Sequence, residues 1–302
     1  MKRYLFVLLL TVSLLLVACG QENGSSQPRH TGLRVVTTLF PLYDFARQLA
    51  GSTADVYMLL PPATEPHVFE PRPGDVEKIR QADIFIYTGE AMEPWVPELL
   101  RGIDAPRLLV VDASYGLQLP AGPHGGKDPH VWLDFANAAH MVDVIAAALA
   151  SRDQEHAETY RRNANGYKEK LAALDARYRA VLGTCPQRTF VHAGHYAFGY
   201  LARRYDLRYI PAYQGTSDDA EPSPRQLAAL LDTMKRLGLK AIFYDELIDP
   251  RLARVIQQET GAVAFPLNAA ANVSRDELRA GVTFLSLMEK NLANLQRGLP
   301  CP

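Results

Sequence analysis

Three histidines stand in settings that suit a metal ion: His67 in Glu65-Pro66-His67, His130 in Asp128-Pro129-His130, and His195 in His195-Tyr196-Ala197-Phe198. Imidazole nitrogen is a common zinc ligand, and three of them nearly complete a tetrahedral shell. A single histidine is more often a satisfied surface or core residue. These three each follow a strand-like apolar run on separate segments. Ligands gather at the carboxyl ends of strands in α/β sheets, so the placement points to a shared site. Three histidines with an open fourth position also describe hydrolytic zinc enzymes. Here no His-Glu-x-x-His helix and no evident general base accompanies them. Ligands drawn from widely separated segments suit a clamp around an ion, and the chain is read as a binding protein rather than an enzyme.

A clamp needs a scaffold. Short, nearly all-apolar runs alternate with helical stretches: Arg34–Thr38, Asp55–Leu59, Asp83–Tyr87 and Arg107–Val111 in the first half, then Thr189–Ala193, Leu207–Pro211, Lys240–Asp245 and Ala262–Pro266. Such runs between helices predict parallel strands covered on both faces. The fold expected is α/β, with two similar lobes that each carry a four-stranded, mostly parallel sheet. Between the halves, Tyr160, Ala164, Tyr167, Leu171, Leu174, Tyr178 and Val181 step by four and three, predicting one long helix over about residues 152–182. Boundaries follow as a signal over residues 1–18, a tether over 19–32, a first lobe over 33–150, the linking helix over 151–183 and a second lobe over 184–302. A length of 302 residues with 48% hydrophobic content allows two cores. The net charge of -1, with no basic stripe, argues against nucleic acid as a partner.

The first residues speak to location. Lys2 and Arg3 precede a run over residues 4–18 that is apolar apart from Thr11 and Ser13. The run falls short of the ~20 residues that span a bilayer comfortably, so an export signal is expected. It ends in Leu16-Val17-Ala18-Cys19-Gly20, which resembles a bacterial lipobox. That implies cleavage before Cys19, lipidation of that cysteine, and attachment to the outer face of a membrane by the lipid alone. Cys185 and Cys301 are then left as one pair in an oxidising compartment. A disulfide between them is expected, with two separate thiols as the alternative.

The phrases Pro66-His67-Val68-Phe69-Glu70-Pro71, Asp128-Pro129-His130-Val131-Trp132-Leu133-Asp134 and His195-Tyr196-Ala197-Phe198-Gly199-Tyr200, together with the lipobox and the mid-chain helix, resemble the ZnuA-like, metal-specific solute-binding lipoproteins of ABC transporters. The stretch Asn272-Val273-Ser274-Arg275-Asp276-Glu277-Leu278 through to Cys301 is most similar to the zinc-binding AztC-type branch. The resemblance covers essentially the whole mature chain. It implies two α/β lobes bridged by a rigid helix, a Zn2+ ion in the cleft, delivery to an ABC permease, and action as a monomer. It also allows a periplasmic zinc metallochaperone as metal donor, and some lipoproteins of the family are described as adhesins.

Relatives often place a carboxylate shortly after the last strand, where this chain reads Pro266-Leu267-Asn268. A neutral amide oxygen is a poorer zinc ligand. The acidic loop Ser217-Asp218-Asp219-Ala220-Glu221 offers replacements, and the AztC-type resemblance implies an aspartate from such a loop: Asp219 first, then Asp218, with Asn268 or water as alternatives. Glu221, just before Pro222 and Ser223, is read as part of a helix cap. His124 stands in a short glycine-rich segment where zinc-binding relatives carry a His-rich loop, and its role in capture is expected to be slight. His192 is a candidate to orient a ligand from behind, while His30, His140 and His156 receive surface readings. Manganese relatives tend to replace the third histidine with glutamate. Retention of His195 favours zinc over the harder ion.

Overall fold

The protein is described by a computed structural model covering residues 32–122, 126–213, 222–245 and 251–302. Strands β1 (Leu33–Thr37), β2 (Ala54–Met58), β3 (Ile84–Tyr87) and β4 (Leu109–Asp112) pair in parallel in the order β2-β1-β3-β4. Strands β5 (Thr189–His192), β6 (Arg208–Pro211), β7 (Ala241–Tyr244) and β8 (Val263–Pro266) pair in parallel in the order β6-β5-β7-β8. Each coincides closely with an apolar run in the sequence. Alternate residues of a strand enter different cores: Val35, Ile84 and Ile86 face one, Val36 and Phe85 another. In the second sheet Phe190 and Phe243 join the first core, whereas Val191 and Ile242 enter a third. Burial on both faces is why these strands read as continuous apolar runs.

The described helices are α1 (Phe40–Ala50), α2 (Pro73–Gln81), α3 (Val96–Gly102), α4 (Phe135–Arg152), α5 (Ala157–Gly183), α6 (Gly199–Arg204), α7 (Pro224–Arg236), α8 (Arg251–Thr260), α9 (Arg275–Arg279) and α10 (Phe284–Gly298). The long helix α5 begins at Ala157, later than its side-chain periodicity implied. Residues 151 and 152 instead close α4. The break has a cause at Asp153, whose carboxylate accepts the His156 N–H (3.3 Å) and the Tyr160 hydroxyl (2.6 Å). A side chain that satisfies nearby backbone in this way competes with continued helix. The buried stripe of α5 runs as expected from Tyr160 to Tyr178, then ends on Leu182 rather than Val181.

Helix α5 ties the two halves together. It packs on α4 and α1 from the first half and on α10 from the end of the chain. The Tyr178 hydroxyl donates to the Met288 carbonyl (2.6 Å), and the Tyr167 hydroxyl donates to Asp44 (3.2 Å). Asp44, buried on α1, also accepts the Phe284 N–H (2.9 Å) at the first turn of α10. Cys185 and Cys301 form a disulfide across 116 residues, fastening the chain end to the residues that follow α5. A loop of that length can stabilise the fold by roughly 4 kcal/mol through lost entropy of the unfolded chain. The segment after β8 then crosses back toward the first sheet. There the Ala271 carbonyl accepts the Phe40 N–H (3.2 Å), and the Ala269 carbonyl accepts the Trp132 indole N–H (2.7 Å). No described helix is long and apolar enough to cross a membrane.

Candidate metal centre

The three histidines reach one place from three directions. His67 lies on the loop that follows β2, His130 directly precedes the 3-10 turn Val131–Leu133 at the start of α4, and His195 follows the end of β5. In two of the three the local device is the same. The acid two residues upstream accepts the histidine's own backbone N–H: Glu65 Oε1 at 3.0 Å for His67, Asp128 Oδ1 at 3.2 Å for His130. The intervening proline, with its fixed φ, helps hold the chain in that tight shape. Asp128 goes further, accepting from the His130 ring at Nδ1 (3.0 Å). With its proton on Nδ1, His130 presents the Nε2 lone pair to the site.

Asp128 is fully buried, and the second half of the molecule holds it in place. The Arg203 guanidinium lies 3.7 Å from its Oδ2, and the Tyr200 hydroxyl donates to its carbonyl (3.1 Å). Helix α6 approaches this carboxylate so closely that a Cβ on Gly199 would sit 2.7 Å from Oδ2, so only glycine fits there. One residue beyond Arg203, Arg204 donates to Asp134 (2.6 Å), the N-cap of α4, and to Asp175 of α5 through two nitrogens (2.7 Å each). The segments bearing His130 and His195 are thereby fixed against each other.

The ligand atoms of His67, His130 and His195 all lie within 4.8 Å of one another, and His130 Nε2 is 3.3 Å from Nε2 of both partners. The edge of a tetrahedron built on metal–nitrogen bonds of roughly 2.05 Å is about 3.3 Å. The spacing therefore matches ligands around a zinc-sized ion. His130 and His195 are buried, while His67 keeps part of its surface in solvent. Burial, followed by the proximity of His130 and His195, lowers the proton affinity of His67 well below the usual imidazole range. Burial likewise takes His195 down to about 4, although the charges of Glu65 and Asp128 pull the other way. At neutral pH both rings are uncharged, with lone pairs available to a cation.

Other residues singled out in the sequence have different fates. Asp218, Asp219, Glu221 and His124 lie outside the described residues, as do Cys19 and His30. Asn268 is buried within a hydrogen-bonded web. Its Oδ1 accepts the Ala270 N–H (2.6 Å), its own N–H donates to Asn291 Oδ1 (2.9 Å), and its carbonyl accepts from Asn291 Nδ2 (2.7 Å). The amide oxygen is thus already engaged with backbone. His192 ends β5, with its ring against Phe198 (4.9 Å between centroids) and beneath Gly194. Burial first, then repulsion from His195, lowers it to about 3. His140 bonds to the Tyr115 carbonyl (2.8 Å) and His156 to Asp153 (2.7 Å), both as ordinary helix-surface contacts. The sequence reading assigned no role to Asp128 or Glu65, yet the repeated acid-Pro-His pattern was a usable signal for both.

The profile of the family described as zinc-uptake complex component A, periplasmic, matches residues 35–298. The chain is 38% identical over 311 residues to the zinc-binding lipoprotein AdcA of Streptococcus pneumoniae serotype 4, covering 98% of this chain and 61% of that protein. It thus spans only part of that relative's length. It is 35% identical over 302 residues to the high-affinity zinc uptake system protein ZnuA of Bacillus subtilis, covering 95% of this chain and 94% of that one. Among solved structures, the Zn(II)-bound ZnuA-like domain of S. pneumoniae AdcA superposes with a TM-score of 0.79 at 38% identity, covering 89% of this chain and 99% of that domain.

Proposed function

The chain belongs to the ZnuA family of zinc-uptake components, and we propose that it binds Zn2+ outside the cytoplasm and delivers it to an ABC permease for import. The observation that carries this is the cluster of three imidazoles within 4.8 Å of one another, with His130 at a tetrahedral edge length from both partners and with His67 and His195 held uncharged by their surroundings. His67, His130 and His195 are the ligands in this reading. A carboxylate from the acidic loop, Asp219 first and then Asp218, completes the shell; the AztC-type resemblance supports that choice. Three nitrogens and one oxygen favour zinc over manganese.

The clamp takes residues 33–150 as one half and 184–302 as the other, joined by the 151–183 connection. Asp128 keeps the His130 lone pair aimed inward, and the low proton affinity of His67 and His195 leaves those two rings free to bind the ion without first displacing protons. Lipidation at Cys19 would keep the monomeric protein beside its permease, and a periplasmic metallochaperone is a candidate donor of the metal. The family is one of transport components. Elemental analysis of protein purified from unsupplemented medium, with equilibrium zinc titration and a hydrolase assay on the same sample, tests the proposal. One zinc per chain and no turnover are expected. Retained manganese, an absence of zinc affinity, or zinc-dependent hydrolysis would overturn it.

A further inference from the structure

The segment after β8 carries an asparagine whose amide nitrogen and amide oxygen are both engaged with backbone. Asn272, 2% exposed, donates through Nδ2 to the carbonyls of Pro61 (2.9 Å) and Thr64 (2.7 Å), and its Oδ1 accepts the Val273 N–H (2.8 Å). Those two carbonyls bracket a tight turn, closed by the Thr64 N–H to the Pro61 carbonyl (3.2 Å), that runs straight into Glu65-Pro66-His67. Inside the turn Ala63 has φ 62, and its N–H donates to the Val273 carbonyl (2.9 Å). A left-handed alanine persists only where its surroundings dictate it. Here the surroundings are Asn272 and Val273, from the far end of the chain.

We infer that Asn272 is a positioning residue for the zinc site, acting through the Pro61–Thr64 turn to set where His67 stands. The role rests on the ligand assignment proposed above. His130 has its ring as well as its backbone held by the carboxylate of Asp128, whereas His67 sits on a partly exposed loop whose backbone is held locally by Glu65 and, one turn earlier, by Asn272 from outside. Two carbonyls require two N–H donors on one atom, and the Val273 N–H requires an acceptor beside them. An asparagine amide supplies both; aspartate lacks the donors and alanine lacks everything.

Zinc affinity, measured by competition with a chromogenic chelator, tests this with Asn272→Ala in three backgrounds: wild type, His67→Ala and His195→Ala. Groups that orient a ligand typically contribute about 10- to 100-fold in affinity. A loss of at least about tenfold is expected in wild type and again with His195→Ala, but almost none with His67→Ala, because the residue Asn272 positions is gone. Amides of residues 62–69 should also exchange faster in the metal-free variant. Equal losses in all three backgrounds would reveal a general structural effect and overturn the role, as would no loss in wild type. If His67→Ala alone left affinity intact, the ligand assignment would fail first and this role with it, an outcome visible on its own. Should Asn272→Ala not yield folded protein, Asn272→Ser, whose hydroxyl gives the buried site a smaller polar group without a charge, is read in the same backgrounds by the same criteria.

Discussion

Replacing Asp128 with asparagine isolates what a buried carboxylate does for a metal-binding histidine. The wild-type carboxylate accepts from His130 at both its backbone N–H (3.2 Å) and Nδ1 (3.0 Å), with the Arg203 guanidinium 3.7 Å from the other oxygen. An asparagine of the same shape can still accept from Nδ1, so the tautomer of His130 survives. Its charge is lost, however, and the imidazole becomes a weaker donor to a cation. Its NH2 also faces a guanidinium, donor against donor. Losing such a partner typically costs 10–100-fold in metal affinity, or about 1.4–2.7 kcal/mol. Chelator competition at neutral pH would read the affinity, and thermal melting of the metal-free protein would show whether the fold survives. Unchanged zinc affinity would refute the reasoning. So would a loss matched in full by collapse of the metal-free fold, which would make Asp128 a structural residue only.

Three further outcomes are expected. Zinc binding at pH 6 should release well under one proton from His67 and His195 together, because both are already uncharged; ordinary imidazoles of pKa ~6.5 would release about 1.5. NMR titration of the two rings in the metal-free protein measures their bound protons at pH 6, and a value of about 1.5 between them would contradict the neutral site. Reducing the Cys185–Cys301 disulfide should lower Tm by on the order of 10 °C while leaving zinc affinity nearly unchanged; a melt insensitive to reductant would show the bridge to be energetically idle. Asp219→Ala should weaken zinc binding more than Asn268→Ala but less than loss of a histidine, whereas Asn268→Ala should chiefly lower stability by breaking the web around Asn291. Equal affinities for the two variants would move the fourth position to water or to another carboxylate such as Glu65.

Legibility from sequence followed the range of the interaction. The strands were readable because two-sided burial demands apolar residues without a break, as in Ile84–Tyr87, where every position is buried. Helix α5 was readable from its stripe but not from its start. Nothing in a period of three and four reveals that Asp153 will capture the His156 N–H and the Tyr160 hydroxyl and restart the helix. The three candidate ligands stood out because each carries a local phrase, and the acid-Pro-His spacing that shapes two of those phrases is itself local. The fourth position resisted because no comparable phrase surrounds it. An acidic loop has the right atoms, yet composition alone does not tell a ligand from a solvated side chain.

Contacts that cross the molecule explain the remainder. Asn272 meets Pro61 across 211 residues of chain, and Trp132 meets Ala269 across 137. Neither contact leaves a local trace, since an asparagine in a loop and a tryptophan near a histidine each have many bland explanations. Yet these contacts tie the segments that carry His67 and His130 to one stretch of chain after β8. Local phrases supply the donor atoms, and distant contacts set the distances between them. An affinity that depends on preset distances must therefore respond to residues that never touch the metal. Substitutions at Asn272 and Asp128 should move zinc affinity, whereas an exposed residue such as Tyr115, 79% accessible, should leave it alone.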